Sequence, residues 1–368
     1  MQLRSSFAAL MALSLAGPAI AEIRVTDLAG REVVLEAPAQ TLVLAEARHL
    51  AVLGLLSDDP VSMVAGWRQS KVLDEATLAA YRAKFPQIDA IRSVGAGNRD
   101  LSVEQIIALN PDLVVLPLSD ASDLGLVQAR GQIESAGIAT AYVDFFLQPQ
   151  ANTLPSLALL GTLTGTEDRA QAFADFYTAH LSTIETRLAE AQPERPGVFI
   201  HVHAQPSTCC DTVGKGVFND FIAAAGGRNL GAEVVLGAVG KVGLEWLIST
   251  DPDYYIATGG THMAARGGLV LGAGVDDTAA NASFQALIGA PGFSALSAVR
   301  EGRAAAVWHL FNDTPSHIVM IEYLAKWLHP ELFADLDPAQ TLLELETRFL
   351  PVQAPGTYWL QGAGVDGE

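Results

Sequence analysis

The sequence predicts an α/β fold of two Rossmann-like lobes with mostly parallel sheets, joined by a single long connecting helix. Three observations carry that expectation. Short β-branched runs alternate with helical patterns, beginning near residues 41, 61, 112, 139, 197, 254 and 304, and such alternation reads as βα units on parallel sheets. A helix-turn-strand unit occurs twice, as VEQIIALNPDLVV from Val103 and as LEWLISTDPDYYI from Leu244. Between the copies, residues 152–192 carry no strand pattern but place Phe173, Phe176, Tyr177, Leu181, Ile184 and Leu188 at helical spacing. A chain of 368 residues, half of them apolar, is long enough to bury two cores.

In chain order, residues 1–21 read as a secretory leader: basic Arg4, an apolar run from Phe7 to Leu15, and Ala19-Ile20-Ala21 as a small-x-small site with cleavage after Ala21. That run is too short to span a bilayer, and no later stretch approaches the roughly 20 apolar residues a membrane helix needs. No cysteine stands at the cleavage point, so a free exported protein is expected rather than a lipoprotein. Residues 22–150 form the expected N-terminal lobe, 151–192 the connecting segment, 193–350 the C-terminal lobe and 351–368 a tail. In each repeated unit the helix should stop at Asn110-Pro111 or Asp251-Pro252, because proline lacks the amide donor and disfavours helix in the residue before it. Gly165-Thr166 should break the connecting segment, with Thr166 capping a helix that opens on Glu167 and Asp168. A helix of about 25 residues is about 37 Å long and would hold the lobes at fixed separation.

The formal charge of −19 excludes nucleic acid and anionic lipid as natural partners. The two cysteines, Cys209 and Cys210, are adjacent, so no long-range disulfide framework is expected. Adjacent α-carbons lie about 3.8 Å apart, short of the usual disulfide range, which leaves a bonded pair and two buried thiols both open. The chain lacks G-x-S-x-G, H-E-x-x-H and G-x-x-x-x-G-K-[ST], and Gly95-Ala96-Gly97 lacks the third glycine of a dinucleotide loop. A binding protein without a cofactor is expected, not an enzyme.

Five segments then carry a resemblance: VTDLAGREVVLEAPAQTLVLA from Val25, VGAGNRDLSVEQIIALNPDLVVL from Val94, LTGTEDRAQAFADFY from Leu163, FNDFIAAAGGRNLGA from Phe218 and AVREGRAAAVW from Ala298. In this order they resemble the periplasmic substrate-binding proteins of ABC transporters in the ferric siderophore, haem and cobalamin class, over nearly the whole mature chain. The resemblance implies a periplasmic monomer with a shallow cleft between lobes and a rigid connecting helix. It also implies delivery of the ligand to an inner-membrane permease with its ATPase. Relatives place a glutamate on the first helix of each lobe to dock the permease. The matching positions are Ala51 and Ala223, so Glu46 and Asp220 become the docking candidates.

Ligands of open α/β sheets sit beyond the carboxyl ends of the strands. In the N-terminal lobe that rule selects Arg48, Trp67, Arg68, Arg99 and Phe145, with core packing as the alternative for Phe145 and surface pairing for the arginines. Guanidinium forks suit the oxygens of a ferric iron chelate. In the C-terminal lobe the rule selects Cys209, Cys210 and Lys215, then His262 and Arg266, then Trp308, His309 and Asn312. His201 and His203, two apart on a strand, should share a face. With His262 and His309 they offer an alternative zinc or manganese site.

Overall fold

The structure, a computed structural model, describes residues 22–69, 72–95, 97 and 100–362. The expected leader and Arg99 lie outside the described residues. The chain enters through an antiparallel hairpin, β1 (Ile23–Thr26) and β2 (Glu32–Leu35). The Asp27 carboxylate accepts the amides of Ala29 and Arg31 at its turn. An alternating series comes next: β3 (Leu42–Leu44), α1 (His49–Leu56), β4 (Val64–Trp67), α2 (Glu75–Lys84), β5 (Arg92–Ser93), α3 (Val103–Leu109), β6 (Leu113–Pro117), α4 (Leu124–Ser135) and β7 (Ala139–Val143). The five strands from β3 to β7 pair in parallel in the order β5-β4-β3-β6-β7. Strands β3 and β6 are buried along their whole length, as the unbroken apolar runs of a sheet covered on both faces require.

Two helices connect the lobes, α5 (Pro149–Thr164) and α6 (Glu167–Ala191). The break falls at Gly165, whose φ of 69° suits glycine. Thr166 does not cap α6 through its side chain. Its hydroxyl pairs instead with that of Thr164 at 2.8 Å. Helix α6 has 25 residues and buries Phe173, Phe176, Tyr177 and Ile184.

The second half contains β8 (Gly197–His201), β9 (Asp211–Val213), α7 (Phe218–Ala224), β10 (Arg228–Asn229), β11 (Val239–Lys241), α8 (Leu244–Thr250) and β12 (Tyr254–Gly259). It continues through β13 (Gly272–Ala273), α9 (Asp277–Ile288), α10 (Ser297–Arg300), β14 (Ala304–Trp308), α11 (His317–Leu328) and α12 (Pro338–Arg348). The short strands β15 (Gly356–Thr357) and β16 (Trp359–Gln361) end it. The second sheet runs β10-β8-β12-β14-β16, parallel except for β16.

The repeated units do matching work. Asn110 and Asp251 end α3 and α8 in the left-handed conformation, each just before its proline. The aspartate after each proline then anchors the start of the neighbouring strand: Asp112 accepts the amides of Gln40 and Thr41, and Asp253 accepts that of Gly197. The described part of the tail, residues 351–362, is packed against the fold. Lys84 on α2 donates to the Pro351 carbonyl at 2.7 Å, after which β15 and β16 pair with β13 and β14. Among the described residues no helix is long and apolar enough to cross a membrane.

Candidate functional site

The segments that leave the carboxyl ends of β3, β7, β8, β12 and β14 line one cleft between the sheets. Arg48, Phe146, His203, Gly260, Thr261, His262, Trp308, His309 and Asp313 surround a cavity of about 700 Å³. A neighbouring cavity of about 480 Å³ shares Phe146, His203 and His309, and adds Asp211, Lys241 and Asn312.

Three histidines meet there. The His203 ring lies 3.8 Å from that of His309 and 5.0 Å from that of His262, centre to centre. His203 Nδ1 is 2.9 Å from His262 Nε2, and the Thr258 hydroxyl at the end of β12 holds His309 Nδ1 at 2.9 Å. Burial lowers the pKa of all three. Arg266 pushes His203 and His262 the same way, and the two neighbouring rings do so for His309. The cluster is therefore uncharged at neutral pH, the form in which imidazole is a metal ligand. His201 does not join it. Strand β8 ends at His201, which is buried against Tyr255 and Phe293, and His203 comes two residues later with φ of 49°. That turn breaks the alternation that would have put both rings on one face.

Arg48 and Arg68 are committed to acids. Arg48 pairs with Glu46 through Nε and, across the cleft, with Asp313 through Nη1. Its guanidinium also lies 5.8 Å over the Phe146 ring. Glu46 is only 3% exposed, so it faces Arg48 and is withdrawn from any permease-facing surface. Arg68 is 2% exposed and donates to Asp120 at 2.8 Å. It braces the N-terminal lobe and does not line the cleft.

Phe145 packs edge-on against His49 in the core, while its neighbour Phe146 lines the cleft. The Asp144 carboxylate fixes this turn by accepting the amides of Phe146, Leu147 and Gln148. Trp67 is buried behind the cleft in the first core. Cys209 and Cys210 are joined by a disulfide, and Cys210 is fully buried beside Phe199, Leu247 and Tyr255. That pair belongs to the second core and not to the cleft lining. Lys215 and Arg266 are exposed and line neither cavity. Lys241 is the lysine that does, and it faces Asp211 at 3.6 Å. Asn312 lines the second cavity, and its buried Oδ1 has no hydrogen-bond partner among the described residues. Asp220 stands, partly exposed, in the first turn of α7.

Among the described residues, no group of three or more His, Cys, Asp or Glu side chains is placed to hold a metal ion by itself. The imidazoles bond to each other and to Thr258 instead.

The sequence model of the family described as periplasmic binding protein matches residues 56–307. An uncharacterized ABC transporter substrate-binding lipoprotein, YvrC of Bacillus subtilis, is 25% identical over 199 residues, 53% of this chain and 59% of that relative. The chain thus spans little more than half the length of that relative. Among solved structures, the TroA-like periplasmic binding protein FepB of Veillonella parvula superposes with a TM-score of 0.84 at 24% identity, covering 93% of this chain and all of the other. A periplasmic heme binding protein of Pseudomonas aeruginosa superposes at 0.56 with 18% identity, over 88% and 98% of the two chains.

Proposed function

Because this chain belongs to the periplasmic binding protein family, we propose that it is the capture component of an ABC importer, binding a ferric iron chelate in its cleft and passing it to an inner-membrane permease with its ATPase. The observation that carries the ligand class is the uncharged cluster of His203, His262 and His309 in the cleft wall. A bare zinc ion takes three or four ligands from the protein, and among the described residues no group of three or more His, Cys, Asp or Glu side chains is placed to supply them. A chelate brings its own oxygens and leaves one or two coordination positions for imidazole. The charge balance narrows the ligand further. Arg48 is outnumbered by Glu46 and Asp313, Lys241 faces Asp211, and Asp74 and Glu75 also line the cleft, so a neutral or cationic, incompletely coordinated chelate suits it better than an anionic one. The orphaned Asn312 Oδ1 offers an acceptor to a ligand N–H or O–H.

One observation favours haem as a second reading: Trp308 and Phe146 present aromatic rings beside the same imidazoles. Titration of the purified protein with a ferric bis-hydroxamate, haem and zinc, followed by tryptophan fluorescence and metal analysis, separates the readings. The ferric chelate is expected to bind, and His262→Ala, at an exposed position, to weaken it at least tenfold. A Soret shift on adding haem, lost in the same variant, would replace the chelate with haem. Stoichiometric zinc without chelator would replace both with ion capture.

Docking is assigned to Asp220. Asp220→Arg is expected to abolish uptake in cells while leaving chelate affinity unchanged, and normal uptake would move docking elsewhere.

A further inference from the structure

We infer that the cleft continues into an apolar annex that takes a short alkyl or aryl arm of the same ligand, so that the substrate is an amphiphilic chelate. This deepens the proposed reading and rests on it. A separate cavity of about 100 Å³ shares Arg48, Leu73, Trp308, Leu310 and Asp313 with the cleft, so the two adjoin across the Arg48–Asp313 pair and the Trp308 ring. Beyond that rim the walls are mainly aliphatic, with Ala51 and Leu55 from α1, Leu345 from α12 and Val352 from the tail. Asp74 and Glu346 also reach its lining, and burial raises the pKa of the Glu346 carboxyl, an effect of its apolar surroundings.

The annex is assembled by both lobes and the tail together, and the tail is pinned over it. Lys84 holds the Pro351 carbonyl, the Tyr358 hydroxyl holds that of Ala354, and β15 and β16 anchor the last described residues. Water in such a space finds few of the two to four polar partners it needs. The volume is roughly two-thirds of the ~150 Å³ apolar cavity that admits one benzene, which sets the arm at about four or five carbons. With the iron beside the imidazoles, an arm passing Trp308 would enter the annex alongside the Arg48–Asp313 pair.

The test compares two ferric complexes of one linear bis-hydroxamate, ending in a methyl or in a pentyl group, by fluorescence titration of the full protein. Each buried methylene tightens binding about fourfold, so the pentyl complex is expected to bind at least tenfold more tightly. Ala51→Phe fills the annex and should erase that difference while leaving the methyl complex unaffected. Ala354→Phe does the same from the tail side if the first variant misfolds. Equal affinities for the two complexes in the wild type would overturn the annex while leaving the chelate reading standing. Saturation-transfer NMR with n-hexanol separates the converse case. Hexanol binding lost in Ala51→Phe, with neither ferric complex bound, would keep the annex and remove the iron chelate. No hexanol signal together with no pentyl preference would overturn the annex.

Discussion

Arg48→Ala is expected to destabilise the protein by about 3–5 kcal/mol, the usual cost of removing one partner from a buried ion pair. Arg48 joins the segment after β3 to the segment after β14, because Glu46 and Asp313 both contact its guanidinium and all three are buried. Removing the cation takes one compensating charge from two buried carboxylates that both contact it. Urea unfolding at pH 7 measures the loss. The deficit should shrink as the pH falls, since protonating either carboxylate relieves the repulsion. A triple replacement, Glu46→Leu with Arg48→Met and Asp313→Leu, should recover most of the stability, because an apolar cluster of similar volume is often as stable as the ions it replaces. A loss below about 1 kcal/mol for Arg48→Ala would mean that the pair behaves as an exposed one, and that the lobes in solution do not close on Arg48.

Much of the fold was legible because its signals are local. Alternating β-branched runs marked the strands, and Asn110-Pro111 and Asp251-Pro252 stopped two helices where proline must. The break at Gly165 and the 25-residue α6 followed from one glycine and a helical spacing of aromatics. The candidate site was legible as a set of strand ends but not as a set of contacts. His262, His309, Trp308 and Asn312 leave their strands into the cleft. Glu46 stands two residues from Arg48, but Asp313 and Asp120 are far away in sequence, Asp120 standing 52 residues from Arg68, and no pattern along the chain could show those pairings. Phe145 and Phe146 differ by one position, and only the turn fixed by Asp144 decides which ring points inward to the core. His203 reaches the cleft by a different route from the one its spacing suggests. Its approach to His262 comes from a backbone turn after β8, not from strand alternation.

Acidification from pH 7 to pH 4 is expected to cost about 3 kcal/mol at each of two buried histidines. His201 and His317 are at most 1% exposed, and burial lowers both from 6.5 to about 4. A lowered folded-state value means that the unfolded chain takes up the proton first. The stability these neutral rings confer is complete above about pH 6.5, falls as the pH drops from there towards 4, and is lost below it. His317 shows what protonation would disturb. Its Nδ1–H donates to the Thr314 carbonyl, its Nε2 accepts from the Tyr177 hydroxyl of α6 at 2.8 Å, and its ring stacks on Phe221 of α7. A proton on Nε2 removes the acceptor that ties the connecting helix to the C-terminal lobe. His180 acts with the opposite sign. Its hydrogen bond to Glu322 raises its pKa, so the stability it adds is complete below about pH 6.5 and lost as the pH rises through the raised value. Being half-buried, it offsets little of the acid loss. Urea unfolding at pH 7, 5.5 and 4 should show the decline in the wild type. His317→Gln and His201→Gln should each start less stable at pH 7 but lose less on acidification, because the group that binds the extra proton is gone. An undiminished decline in both variants would assign the acid sensitivity to other groups.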